Sequence, residues 1–317
     1  MPLTVNPLQG KIFDVIKGSV ATVTLFLAFV YLPVVGTIPG LFASAPAAFY
    51  TLKRGRGTGL AILLGSCALL LGVADPAAAA IYLLQAGVLS LALPEFLLRQ
   101  KGGARSVIYS VAVTIAVLMV AALVYVAATG ADLHAKINQG VQTSINQTAL
   151  LYEKAGVKGD ELKALQDSMH QAGQLVVTIY PALVTVAYGL IACMNLMLLS
   201  GIVTRMRLPV YVGDFTKYKN PEPLIWLLIA TGFGTLVPEN LVHIASLNVL
   251  LVMGALYATQ GFAIISFFFR KLQVPIFIRV LASLLLIFQP MMVLAVAALG
   301  VFDLWADFRS PKKQENL

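Results

Sequence analysis

Charge is what this chain has least of. Only 11% of its 317 residues are Asp, Glu, Lys or Arg, 59% are apolar, and the mean hydropathy is +0.87. Soluble domains carry roughly 25% charged residues, so the chain cannot clothe a globular surface in polar groups. A soluble enzyme and a nucleic-acid-binding module are excluded, whatever the sequence pI of 9.5 would otherwise suggest. So is disorder, for which the apolar content is far too high. Cysteine is scarce as well. Cys67 and Cys193 both lie in apolar runs and read as small buried hydrophobes rather than a disulfide or metal pair. There is no Walker A sequence, no HExxH pattern and no GxSxG elbow, so the reading is non-enzymatic, without metal or cofactor. The first apolar run has no small-residue cleavage site and is expected to stay in the mature protein.

A further absence is the most informative. No carboxylate or histidine falls at the centre of an apolar run. Intramembrane ionisable groups mark proton relays and ion paths, so a proton pump, a carboxylate-driven antiporter and a voltage sensor are disfavoured. The acids nearest to such runs are Asp75, Glu95, Glu239 and Asp303, each close to a segment end. Glu95 is expected to snorkel and to pair with Arg99 one turn on. Asp75-Pro76 reads as a turn between two helices.

What is present is a series of nine apolar segments, at about 18–35, 37–52, 58–74, 76–98, 105–128, 173–204, 222–238, 241–269 and 275–302. A helix needs about 20 apolar residues to cross the hydrocarbon core. Backbone groups in lipid must be satisfied internally, which makes these runs helical. The expectation is an all-α, polytopic transmembrane helical bundle of about 8–10 spans with an extracytoplasmic helical hairpin. Three regions follow: 1–129 with five membrane helices, the insertion 130–172, and 173–317 with the remaining helices and a short charged tail. The insertion divides at Gly156–Gly159 into two helical pieces. The second starts at Asp160 and runs into the sixth segment, with Pro181 marking a kink.

Basic residues set the orientation. Thirteen of the 22 Lys and Arg fall in four alternate loops, around Lys53–Arg56, Arg99–Arg105, Arg205–Lys219 and Arg270–Arg279. The other loops hold four lysines, all in 130–172, where five acids outnumber them. The positive-inside rule places the first set, and the N-terminus, in the cytoplasm. The side of the C-terminus stays open, because Pro290 divides the last segment into either one kinked helix or two short ones. The run Arg54-Gly55-Arg56-Gly57-Thr58-Gly59 follows no strand and reads as a tight basic connection between helices.

Inside the spans the polar groups are neutral. Gln85, Tyr188, Asn195, Asn248, Gln260 and Gln289 need partners in a dry environment. Interhelical hydrogen bonds are one explanation. The other is a ligand pocket, for which Gln85, Tyr188, Asn195, Asn248 and Gln260 are the candidate residues. Glu239, Asn240 and His243 cluster at a turn that reads as capped and solvated, and offers too few ligands for a metal.

Two stretches resemble known families. Gly300-Val301-Phe302-Asp303-Leu304-Trp305-Ala306-Asp307-Phe308-Arg309, with Gln260-Gly261 and the Phe-rich run to Arg270 and Lys271, resembles the YybS-like family of bacterial membrane proteins. That resemblance implies a bacterial cytoplasmic membrane and no particular activity. Pro33 to Gly40, the short second helix and the basic turn are similar to the start of energy-coupling-factor transporter S subunits. This implies small-molecule binding within a helical bundle. The small-residue docking signature of those subunits is matched only by Gly18 and Thr22. The reading is therefore a small-molecule-binding membrane subunit whose surroundings are the lipid bilayer. The alternatives are an assembly or regulatory protein that docks membrane or cytoplasmic partners through 130–172 and the basic loops, and a lipid-modifying enzyme centred on Glu239–His243.

Overall fold

The computed structural model describes residues 7–32 and 35–309. Among them every regular element is a helix: α1 (Pro7–Tyr31), α2 (Thr37–Leu41), α3 (Ala45–Arg54), α4 (Arg56–Val73), α5 (Pro76–Tyr82), a π-helical turn (Leu83–Gly87), α6 (Val88–Leu98), α7 (Gly103–Thr129), α8 (Leu133–Lys154), α9 (Asp160–Met206), a 3₁₀ turn (Phe215–Lys217), α10 (Leu224–Gly234), α11 (Asn240–Lys271), α12 (Ile276–Phe288) and α13 (Pro290–Ala306). Six are long and apolar enough to cross a bilayer: α1, α4, α5–α6 taken as one, α7, α9 and α11. The α12–α13 pair, bent by 104°, makes a seventh if it counts as one span.

The all-helical membrane architecture follows from the apolar runs, but three of the nine runs do not form single spanning helices. Residues 37–52 become two short helices, because Pro39, Gly40 and Pro46 leave only five and ten helical residues on either side of a turn. The 222–238 run yields an eleven-residue helix. The last run breaks at Gln289, which is extended at φ −98°, ψ 106° just before Pro290.

The chain forms two compact units. The first takes residues up to 128 and returns for 187–213; the second takes 129–186 and 214 onward. In the first unit, α2 and α3 run back along α1. At the far end of that hairpin Arg54 Nε donates to Asp14 Oδ2 at 2.8 Å, with Lys53 Nζ at 3.5 Å. One apolar core joins Ala48, Leu52, Leu89, Leu93 and Leu97 to Ala192, Leu199 and Val203 of α9. A second, around Phe26, Leu70 and Tyr82, joins α1, α4 and α5. Asp75 caps α5, accepting from Ala78 N at 2.6 Å, so the expected turn is present.

In the second unit α8 lies against the start of α9, where Gly173 leaves room for Ile145 and Val141. The helix from Asp160 is continuous through Pro181 to Met206, 47 residues in all. The tightest helix contact is between α11 and α13. A Cβ on Gly261 would strike the Val296 carbonyl oxygen, and one on Gly300 would strike the Tyr257 carbonyl oxygen. The pairing of 261 with 296 and 257 with 300 makes the two helices antiparallel. Small residues that let backbones meet are the usual device for packing helices in lipid, where no hydrophobic force acts between them.

Candidate functional site

The first unit carries a cleft of about 570 Å³ walled by Leu60, Leu63, Leu83, Val88, Leu91 and Phe96, with Thr51, Arg56 and Glu95 among the residues at its polar part. Three local features shape it. The π-helical turn at Leu83–Gly87 widens the helix between α5 and α6; such turns are often found at functional positions. Gly87 and Gly57 contribute no side chain to the walls. Pro94 stands inside α6 just before Glu95.

Two of the lining residues, Arg56 and Glu95, form an ion cluster with Arg99 beside the cleft. Glu95 Oε2 accepts from Arg56 Nε at 2.6 Å, and Glu95 Oε1 accepts from Arg56 Nη2 at 2.9 Å and Arg99 Nε at 2.7 Å. The Arg99 guanidinium also lies 5.9 Å from the centre of the Phe96 ring. The expected Glu95–Arg99 pair is thus present, and Arg56, 39 residues away, completes it. Nearby connections join the same ends of several helices: Gln100 Nε2 donates to Pro209 O at 3.0 Å, and Gly103 N to Val212 O at 2.6 Å.

Each candidate ligand residue has a definite place. Gln85 is partly buried in the π-helical turn. Tyr188 donates its hydroxyl to Leu84 O in the same turn, at 2.9 Å. The hydroxyl of Tyr188 thus meets the turn that carries Gln85. Asn195, two turns further along α9, is fully buried and donates from Nδ2 to Leu41 O and to Ile191 O, both at 2.8 Å. It caps the carbonyl end of α2, where the second apolar run breaks. With two carbonyls fixing the amide's orientation, Oδ1 is the atom left buried without a protein partner, as is the hydroxyl of Ser44 beside the break.

In the second unit Asn248 enters the α9 backbone. Its Oδ1 accepts from Ala182 N and its Nδ2 donates to Thr178 O, both at 2.9 Å. That amide bridges the N–H and the carbonyl of one helical rung next to Pro181. Gln260 is fully buried, accepts from Asn220 N and donates to Asp303 Oδ2, both at 2.9 Å. Asn248 and Gln260 therefore serve different partners.

Around Gln260 lies a polar network that the sequence reading did not foresee. Asp303 is fully buried, and its Oδ2 also accepts from Arg309 Nη2 at 2.5 Å. Arg309 Nη1 donates to Thr216 O and Tyr218 O, at 3.0 and 2.7 Å. Asn220 donates to Leu256 O at 3.0 Å and accepts from the Tyr218 hydroxyl at 2.6 Å. From the sequence Asp303 reads only as an acid near a segment end, and Asn220 gives no signal. The available signal was a lone Asp in an apolar run with an Arg six residues on. At the edge of the network Asp214 accepts from Thr216 and from Arg270 Nη1 at 2.9 Å. Burial pushes the Asp214 carboxyl up, but the Thr216 and Arg270 hydrogen bonds outweigh it and hold the pKa below the ordinary carboxylate value. Arg279 donates to Val274 O at 2.6 Å. His243 Nδ1 is 2.8 Å from Thr235 O, an ordinary helix-turn bond at the Glu239 turn. Both cysteines are free thiols, and no group of three His, Cys, Asp or Glu able to hold a metal occurs among the described residues.

No curated protein and no solved structure matches this chain. The family model described as "Predicted membrane protein (DUF2232)" matches residues 20–304. That range takes in both units, the cleft and most of the Gln260 network, and the chain belongs to that family of predicted membrane proteins.

Proposed function

We propose that this protein is a non-enzymatic subunit of the bacterial cytoplasmic membrane that binds a small amphipathic molecule in the cleft of its first unit. The N-terminus and the Arg56–Arg99 rim lie on the cytoplasmic side, as the distribution of basic residues requires. The observation that carries this reading is the cleft: about 570 Å³ of largely apolar wall with an ion cluster at one part of it. Ligand sites are of this size, roughly 300–1,000 Å³, and of this make-up, apolar with a few placed polar groups. The likeness of the first segments to transporter S subunits agrees with a binding subunit.

The neutral polar residues contribute less directly. Tyr188 steadies the π-helical turn on the cleft wall through Leu84, while Asn195, Asn248 and Gln260 spend their hydrogen bonds on helix breaks and on Asp303. Binding raises the melting temperature by mass action. Purified protein should therefore show saturable stabilisation by at least one member of a vitamin and lipid panel. Ala92→Trp or Leu60→Trp, which fill the cleft, should abolish that response while the unliganded protein still melts cooperatively. Stabilisation that survives both substitutions would sink the proposal.

A second reading has its own observation. On α8, Leu150, Leu151 and Tyr152 are 55, 65 and 43% exposed within an otherwise hydrophilic hairpin. Such a patch suits docking of another membrane protein. Loss of a co-purifying partner on Leu150→Ser/Leu151→Ser, with the ligand response intact, would favour it.

A further inference from the structure

The rim of the cleft holds more positive charge than it can neutralise. Arg56 and Arg99 share the single carboxylate of Glu95, and both Glu95 oxygens are engaged by them. The neighbouring Lys53 and Arg54 share one further carboxylate, Asp14. Four cations thus face two anions at one end of the first unit. Arg56 and Arg99 are also the exposed partners, at 66 and 57% against 24% for Glu95. Glu95 uses Nε and Nη2 of Arg56 and only Nε of Arg99, so Arg56 Nη1 and both Nη atoms of Arg99 are not spent on it. Arg99 lies 5.9 Å from the centre of the ring of Phe96, a wall residue, and is tied to the lining pair Arg56 and Glu95 through the Glu95 carboxylate.

We infer that the cleft takes an anionic amphiphile. Its alkyl chain lies among Leu60, Leu63, Leu83 and Leu91, and its phosphate-class head is held by Arg56 and Arg99. Guanidinium groups are suited to this because they donate paired, charge-assisted hydrogen bonds to phosphate oxygens. A neutral head would leave the rim's excess charge unmatched, and a cationic head would be repelled by it. Basic residues beside a crevice between transmembrane helices on the cytoplasmic side are a recognised arrangement for anionic headgroups. The inference rests on the binding reading above and adds the chemistry of the head and the residues that select it.

The test uses the full chain purified in a neutral maltoside detergent and three probes: a lysophosphatidic acid, the monoacylglycerol with the same acyl chain, and inorganic phosphate. Thermal melting and native mass spectrometry both report binding. The expected result is saturable binding of lysophosphatidic acid at least about tenfold tighter than monoacylglycerol, since hydrogen bonds to charged groups are worth roughly 1.5–3 kcal/mol. Inorganic phosphate alone should produce no shift. Arg56→Gln should weaken lysophosphatidic acid about tenfold and leave monoacylglycerol unchanged. Arg54→Gln, whose partner is Asp14 outside the cleft, should change neither. Equal affinity for the two amphiphiles would overturn the head assignment and leave the binding reading standing. Stabilisation by inorganic phosphate as strong as by the amphiphile would overturn the acyl-chain part and assign the rim to a soluble phosphate. Failure of both amphiphiles to bind would remove the binding reading as well.

Discussion

Replacing Asn248 tests how this protein tolerates a proline in the middle of a 47-residue helix. Pro181 has no N–H to offer the carbonyl four residues back, and its ring pushes that carbonyl aside. The next rung joins Ala182 to Thr178, and the Asn248 amide engages both of its groups at 2.9 Å. Asn248→Leu removes the two hydrogen bonds to α9, besides one to Ile244 O on its own helix, and strands one donor and one acceptor of α9. Each net bond is worth about 0.6–1.5 kcal/mol in this setting, and each stranded backbone group costs about 1–3 kcal/mol unless the rung recloses. Partial reclosure, limited by the proline ring, puts the expected loss at about 2–4 kcal/mol. Pro181→Ala alone should change stability by less than about 1 kcal/mol, because the amide can stay in place. The double variant should recover most of the loss: with the ring gone, Ala182 bonds directly to Thr178 and no amide is needed. The assay is reversible unfolding in dodecyl-sulfate mixed micelles followed by circular dichroism, with hydrogen exchange at the Ala182 amide as a local readout. A favourable coupling of about 2 kcal/mol is expected. Additivity within about 0.5 kcal/mol would refute the reasoning, since independent sites add to that precision.

Arg309→Met leaves the fully buried Asp303 with neutral partners only, Gln260 and the Phe308 N–H, and stripping one partner from a buried ion pair costs about 3–5 kcal/mol; Asp303→Asn/Arg309→Met should lose markedly less, measured by the same unfolding assay. Gly300→Leu drives a side chain into the Tyr257 carbonyl and should separate α11 from α13, seen as loss of a disulfide engineered between those helices, whereas the same change at Gly232, beside which there is open space, should be nearly silent. Asp214 titrates below the ordinary carboxylate range in the folded protein, so its contribution is fully present above the unfolded value near 3.9 and fades as pH falls through the lower, folded value. Asp214→Asn should therefore lower stability at neutral pH, leave it little changed at pH below the folded value, and so flatten the acid limb of the stability–pH curve; an identical acid limb would contradict the Arg270 and Thr216 assignment.

The two polar arrangements do different physical work. The Gln260–Asp303–Arg309 network is closed: every hydrogen bond runs to another protein group, and it ties residues 214–220 to α11 and α13. A saturated network of this kind rigidifies and specifies a packing. The Glu95 rim is open. Its carboxylate is satisfied while its guanidiniums keep unspent donors next to an apolar cleft. Gln260, Asp303 and Arg309 belong to the closed network, while Gly261 and Gly300 beside them form the close contact between α11 and α13.

Local chemistry alone determined a good deal of this molecule. Apolar length and the dearth of charge impose membrane helices; Gly156–Gly159 ends α8; Asp160 starts a helix that runs through Pro181; and Glu95 meets Arg99 because one helical turn separates them. These outcomes depend on residues within a few positions of one another. What only the tertiary structure decided involves distant partners. Arg56 joins Glu95 across 39 residues, Asn248 takes the amide of Ala182 66 residues upstream, and Asp303 finds Gln260 at a separation of 43. A polar residue in an apolar run must find a partner, but which one depends on how helices cross, and that is set by small residues such as Gly261 and Gly300 and by where apolar runs break. Periodicity and composition carry no record of those crossings, and so the cleft and its rim of arginines emerge only when α3, α4 and α6 are packed together.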